Sequence, residues 1–205
     1  KGTHIYENSI METASDNSFL AIAIGVSAGG LHALIHILSE LSADFPIPII
    51  VVQHRGKDYK DLLEQVLQSK CLLHIKQADE KEQIEKGYIY IAPANYHLLI
   101  EMNKTFSLTS DVYVKYSRPS IDLLFETAAE AYKRNLLGIL LTGASSDGAE
   151  GLLEIKRQGG YTIAQDPKTA EYPYMPQAAI AIGAVQNILT LDEIKSYLEE
   201  IYERR

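Results

Sequence analysis

Ser27, His54 and Asp147 are the residue types that together perform acyl transfer, and each stands just past an apolar run. A serine hydroxyl attacks a carbonyl well only when a base accepts its proton, and that imidazole needs a carboxylate to hold it. Gly25-Val26-Ser27-Ala28-Gly29 fits G-x-S-x-G, the spacing that mounts a serine on a sharp turn between strand and helix. Small neighbours suit so tight a turn, and amides opening the next helix can stabilise an oxyanion. The run "PIPIIVVQH" ends at His54, and "LLGILLTGASSDGAEG" leaves its apolar stretch at Gly143 before reaching Asp147. Each residue also has a plainer reading: Ser27 caps the helix beginning near Gly30, His54 ends a strand, and Asp147 is an N-cap ahead of Gly148 and Ala149.

The same turn admits a different chemistry, the cradling of a nucleotide phosphate on helix amides. The spacing argues against it. A dinucleotide fingerprint needs G-x-G-x-x-G with an acidic residue roughly 20 positions on, whereas here the glycines stand at 25, 29 and 30 and the next strand ends in Gln53-His54. A P-loop needs lysine after its last glycine; Leu31 follows Gly30.

The elements that must position the three residues follow from hydrophobic pattern. Apolar runs of strand length fall at 19–25, 46–54, 71–77, 87–93, 136–143, 160–166 and 184–190, and several are apolar on successive residues, as in strands covered on both faces. Helical periods fall between them at 30–41, 58–69, 119–134, 147–158, 175–182 and 191–202. This alternation predicts an α/β fold: a doubly wound, mostly parallel sheet with helices on both faces. The interval 96–114 breaks the rhythm with two extended runs around "MNKT", and predicts an antiparallel hairpin at one sheet edge. In such sheets ligands bind outside the carboxyl ends of the strands, the rim to which Ser27, His54 and Asp147 are assigned.

The remaining composition narrows the function classes. A chain of 205 residues with net charge −8 and no Lys/Arg stripe argues against nucleic acid and against an anionic membrane surface. A single cysteine, Cys71, permits no intrachain disulfide and reads as a small core residue. No apolar run is long enough to span or insert in a bilayer, and the polar start lacks the middle of a signal peptide, so the expected location is cytoplasmic. Residues 1–18 are expected to be a disordered lead or an expression remnant, with Met11 a candidate natural start, and residues 19–205 one catalytic domain.

With these blocks in view, the chain resembles the catalytic domain of the chemotaxis protein-glutamate methylesterases, from about Ala21 to Tyr202. The resemblance rests on six ordered blocks: "IAIGVSAGG", "IIVVQH", "GYIYIAPANYHL", "SRPSIDLLFETAAEAY", "GILLTGASSDGAEGL" and "AQDPKTAEYPYMPQAAIAIGAV". It implies a parallel α/β sheet with nucleophile Ser27, base His54 and carboxylate Asp147. It also implies hydrolysis of glutamate γ-methyl esters on the cytoplasmic domain of a chemoreceptor through an acyl-enzyme, with glutamine deamidation as a further activity and no metal or organic cofactor. The amide of Ala28, with one from the His54 or Ala144 turn, is expected to hold the oxyanion, with Gly29 and Met175 beside the substrate. The family often carries threonine where this chain has Ala28 and methionine where it has Ala144. An alanine keeps the backbone N–H, so the hole can persist. Family members commonly have a phosphorylatable receiver domain, so a separate receiver or regulator is an implied partner. The competing reading is a catalytically weak or silent module that docks on receptors.

Several other residues invite attention. His32 and His36 are four apart on a helix but lack the adjacent glutamate of a zinc-hydrolase pattern. His97 is expected to make a structural hydrogen bond in preference to a substrate contact. Arg118 is assigned to shaping the cleft, with Ser117–Ser120 as an equally good helix entry, and Asp122 to the negative-charge preference at that helix start. Glu171–Pro176 reads as a rigid loop near the cleft.

Overall fold

The computed structural model describes residues 18–54, 62–115 and 117–203. Residues 1–17 of the expected lead and residues 58–61 of the second expected helix lie outside the described residues. Among the described residues nine strands and six α-helices follow in order: β1 (Ala21–Val26), α1 (Gly30–Leu38), β2 (Ile49–Gln53), α2 (Leu63–Gln68), β3 (His74–Gln77), β4 (Tyr88–Ile91), β5 (His97–Ile100), β6 (Phe106–Thr109), α3 (Ile121–Tyr132), β7 (Leu136–Leu140), α4 (Ala149–Arg157), β8 (Tyr161–Gln165), α5 (Tyr174–Ala181), β9 (Asn187–Leu189) and α6 (Leu191–Glu203). Seven strands form one sheet in the order β3-β4-β2-β1-β7-β8-β9, every pair parallel.

Successive residues of the central strands serve opposite faces, which explains their unbroken apolarity. Ile22, Ile24 and Val26 of β1 join Val51 of β2 and Ile139 of β7 in a core closed by Leu34 and Ile37 of α1 and Leu198 of α6. Ala21 and Ala23 face the other way, into a core with Leu124 and Phe125 of α3 and Leu152 and Ile155 of α4. Small residues on this second face let α3 come close. A Cβ on Gly25 would lie 2.3 Å from Cγ2 of Ile121, the first residue of α3. That approach brings the N-terminus of α3 under the end of β1.

The strands are shorter than the apolar runs, for local reasons. Pro46 and Pro48 have no N–H for a ladder, so β2 begins at Ile49. The fourth helix does not begin at Asp147, because Gly148 at its N-cap takes φ 96°, a left-handed conformation. The antiparallel hairpin pairs His97 with Thr109 and Ile100 with Phe106. It is a two-stranded sheet of its own, separate from the ladder of seven. Its second strand is stitched to the preceding loop, with Phe106 N donating to Glu82 O at 2.9 Å and Lys81 N to Phe106 O at 2.9 Å. Its first strand docks on α3, where Ile100 N donates to Thr127 Oγ1 at 3.1 Å.

Candidate active site

The chain runs from β1 through β2 to one side of the sheet, then returns to β7 on the other side of β1. The carboxyl ends of β1 and β7 therefore flank a topological switch point, where open α/β sheets leave a crevice. Register brings the site residues to this rim. Val26 pairs with Gln53, so Ser27 and His54 leave adjacent strands at the same height. Backbone bonds hold both exits: His54 N donates to Val26 O at 3.0 Å, and Ser27 N to Thr142 O at 3.0 Å.

The three side chains, far apart in sequence, meet. His54 Nδ1 lies 3.2 Å from Ser27 Oγ, and His54 Nε2 lies 2.7 Å from Asp147 Oδ2. The imidazole is largely covered and the carboxylate wholly buried. Ser27 does not cap α1 with its side chain; Gly29 occupies the N-cap at φ 76°, and Gly30 N bonds the Ser27 carbonyl at 3.0 Å. Its hydroxyl is left to His54.

Asp147 does not cap its own helix either. Its carboxylate accepts Ile121 N at 2.7 Å, Asp122 N at 3.0 Å and Ser120 Oγ at 3.0 Å, all at the start of α3. Burial alone would push this carboxyl up. The hydrogen bonds from His54 and from the Asp122 and Ile121 amides prevail and hold it below the ordinary 3.8. An ionised carboxylate here fixes the orientation and tautomer of the imidazole.

Asp122 stands in the first turn of α3, as expected, and its carboxylate also reaches across to the neighbouring helix. It accepts Gly148 N at 2.9 Å and Gly151 N at 2.8 Å, both belonging to the start of α4, and pairs with Lys115 Nζ at 2.6 Å. Burial, with nearby Asp147, raises its carboxyl above 3.8 against the pull of Lys115 and the Gly151 amide.

The candidate oxyanion donors separate on hydrogen-bond accounting. The amide of His54 itself is spent on Val26 O, and the rest of the His54 turn lies outside the described residues. Among the described residues, the amides of Ala28, Gly29 and Ala144 donate to no protein acceptor. Met175 offers no surface to a ligand: it is fully buried, and its Sδ and Cε back onto Gly143, where a Cβ would lie 2.7 and 2.6 Å away. Met175 N donates to Gly143 O at 3.0 Å, bracing the turn that carries Ala144.

Sequence reading missed the scaffolding residues. Gln53 Nε2 donates to Ser27 O at 2.8 Å, holding the serine turn from β2. Thr142 Oγ1 donates to Ala28 O at 3.0 Å and accepts Tyr172 N at 2.9 Å, tying that turn to the loop before α5. Polar residues directly after apolar strands were the available signal. His97 makes the structural bonds expected of it: Nε2 lies 3.1 Å from Val112 O, and Nδ1 accepts Ser120 N at 3.1 Å. Arg118 braces its own loop, donating from Nη1 to Ser110 O at 2.7 Å and Asp111 O at 3.0 Å, with its guanidinium 4.5 Å from the Tyr113 ring centroid. His36 pairs with Asp192 at 2.6 Å, joining α1 to α6.

Fold and site together define a doubly wound α/β domain with a hydrogen-bonded Ser-His-Asp array at its switch point. Residues 22–198 match the family described as CheB methylesterase, and the chain belongs to that family. It is 50% identical over 177 residues to a Leptospira interrogans protein provisionally named protein-glutamate methylesterase/protein-glutamine glutaminase, covering 86% of this chain and 92% of that one. Against the Syntrophus aciditrophicus protein-glutamate methylesterase/protein-glutamine glutaminase 2, identity is 36% over 196 residues, spanning 94% of this chain and 56% of the relative. The crystal structure of the Thermotoga maritima CheB methylesterase catalytic domain superposes with a TM-score of 0.85 at 34% identity, covering 90% of this chain and 99% of that one.

Proposed function

We propose that this chain hydrolyses glutamate γ-methyl esters on the cytoplasmic domain of chemoreceptors, and deamidates glutamine there, through Ser27, His54 and Asp147. The observation that carries the reading is the continuous hydrogen-bonded path from Ser27 Oγ through both His54 nitrogens to Asp147. The names of the relatives supply the substrate class.

In this mechanism His54 Nδ1 takes the hydroxyl proton as Ser27 Oγ bonds to the ester carbonyl carbon. Asp147 stays ionised and holds Nε2–H of the imidazolium. The tetrahedral oxyanion sits between the Ala28 and Ala144 amides, with Gly29 allowing close approach; one such donor contributes roughly 3–4 kcal/mol. The intermediate collapses, and the departing methoxy oxygen takes the proton from His54 and leaves as methanol. Water, deprotonated by His54, then attacks the acyl carbon; its bond to Oγ breaks as His54 returns the proton to Oγ, releasing glutamate. For an amide the departing group is ammonia. The residues in named roles require no metal or organic cofactor. A receiver domain or separate regulator controlling access, and a cytoplasmic setting, complete the proposal.

Methanol release from methylated receptor membranes tests it. Wild type releases methanol, and Ser27→Ala, folded and still receptor-binding, does not. Equal release by Ser27→Ala removes the assignment of the nucleophile. No release by wild type with retained receptor binding favours a silent docking module.

A further inference from the structure

Asp147 has four donors, and three do not come from His54. Oδ2 accepts His54 Nε2 and Ile121 N, and Oδ1 accepts Asp122 N and Ser120 Oγ. Only one of the three, the Ser120 hydroxyl, is a side chain. Its direction of donation is fixed by its neighbours. A carboxylate only accepts, and the other contact, Leu123 N at 3.4 Å, only donates. The single hydroxyl proton must therefore point at Asp147.

The position of Ser120 is fixed in turn from outside the site. Ser120 N donates to His97 Nδ1 at 3.1 Å, which requires that nitrogen to be unprotonated and puts the ring proton on Nε2, facing Val112 O at 3.1 Å. Both Ser120 and His97 are fully buried. His97 lies on β5, so the hairpin reaches the site through His97. One assignment of protons satisfies the whole path from Val112 O to Ser27 Oγ.

From this path we propose that Ser120, anchored by His97, is a positioning residue that orients Asp147 and sets how strongly it holds the His54 imidazolium. The proposal rests on the reading of Ser27, His54 and Asp147 as the catalytic array. Ser120 touches no reacting atom; it acts on the carboxylate. Losing a hydrogen bond leaves the negative charge of Asp147 less stabilised and more basic, so the His54–Asp147 pair holds its proton more tightly. The other groups facing Asp147 are His54 from the end of β2, Asp122 and Glu126 from α3, and Lys115 through its pair with Asp122. None is altered by changing Ser120.

The test is the pH–rate profile of methanol release by Ser120→Ala and Ser120→Thr beside wild type, with Ser27→Ala as a control. Ser120→Gly, tolerated at an N-cap, replaces the alanine variant should that one not fold. In Ser120→Ala we expect kcat to fall about tenfold, as for a lost bond to a charged group, KM to change less than about twofold, and the acid limb to move to higher pH. Ser120→Thr keeps the hydroxyl and restores both. A merely structural cap would lower the folded fraction without moving the limb. An acid limb that stays in place when the hydroxyl is removed, whatever the rate, overturns the proposal. Full turnover by Ser27→Ala would instead remove the underlying triad.

Discussion

Asp147 and Asp122 each cap the helix that the other belongs to or precedes. Asp147, one residue before the N-cap of α4, accepts the Ile121 and Asp122 amides of α3; Asp122, in the first turn of α3, accepts the Gly148 and Gly151 amides of α4. Two helix N-termini point at each other's carboxylates, so the helix dipoles favour the charge on both. The arrangement locks the Asp147 carboxylate to the scaffold from two sides. It also brings two negative charges together, and Lys115 on Asp122 offsets one of them.

Asp122→Asn should weaken this lock. The amide oxygen can still accept both glycine amides, which share Oδ1, but the Nδ2 that replaces Oδ2 cannot pair with Lys115. The expected cost is about 1–2 kcal/mol, the size of a hydrogen bond to a charged group. Denaturant titration measures it, and kcat should fall while KM for the receptor stays near wild type.

The two carboxyls predict opposite pH dependences of stability. Asp147 is lowered from 3.8, so its contribution is present above that value and lost as pH falls through its folded value. Asp122 is raised from 3.8, so its contribution is present below that value and lost as pH rises through its folded value. Unfolding free energies measured across the acid range should therefore show Asp147→Asn flattening the slope below pH 3.8, and Asp122→Asn flattening it above pH 3.8.

Cys71 should be nearly inert in the native state. It is buried at 6% exposure, and burial pushes its thiol up to about 11. Thiolate is the reactive form, so disulfide-exchange reagents at pH 8 should react slowly with native protein. They should react at the rate of a free thiol once denaturant unfolds it.

Gly25→Ala should damage both fold and site. The new methyl would meet Ile121 Cγ2 at 2.3 Å and Leu140 Cδ1 at 3.0 Å. Overpacking of this kind costs about 1–3 kcal/mol. Because Ile121 carries an amide that holds Asp147, turnover should fall by more than the loss of folded protein explains; comparing kcat with the denaturation midpoint checks this.

The meeting of Ser27, His54 and Asp147 was legible because each follows the exit of an apolar strand run, and strand exits on a parallel sheet share one rim. The parallel sheet was legible from the unbroken apolarity of runs such as Ile49-Ile50-Val51-Val52. The crossing of Asp122 and Asp147 was not. Capping signals in a sequence are local, so Asp147 before Gly148 reads as the cap of its own helix, and nothing in the spacing shows that α3 will lie beside it. The close approach depends on Gly25 and the small Ala21 and Ala23, whose meaning appears only once α3 is packed. The hairpin at 96–114 was visible as a break in rhythm, but its separate sheet depends on loop carbonyls such as Glu82 O. Met175 looked like a substrate contact from its loop, and packing against Gly143 instead buries it.

The central claim is that Ser27 and His54 act as one unit, and a double-mutant cycle on methanol release tests it most directly. Residues that act together are strongly non-additive. Ser27→Ala, His54→Ala and the double variant should share the same residual rate. Losses that multiply in the double variant would contradict the account.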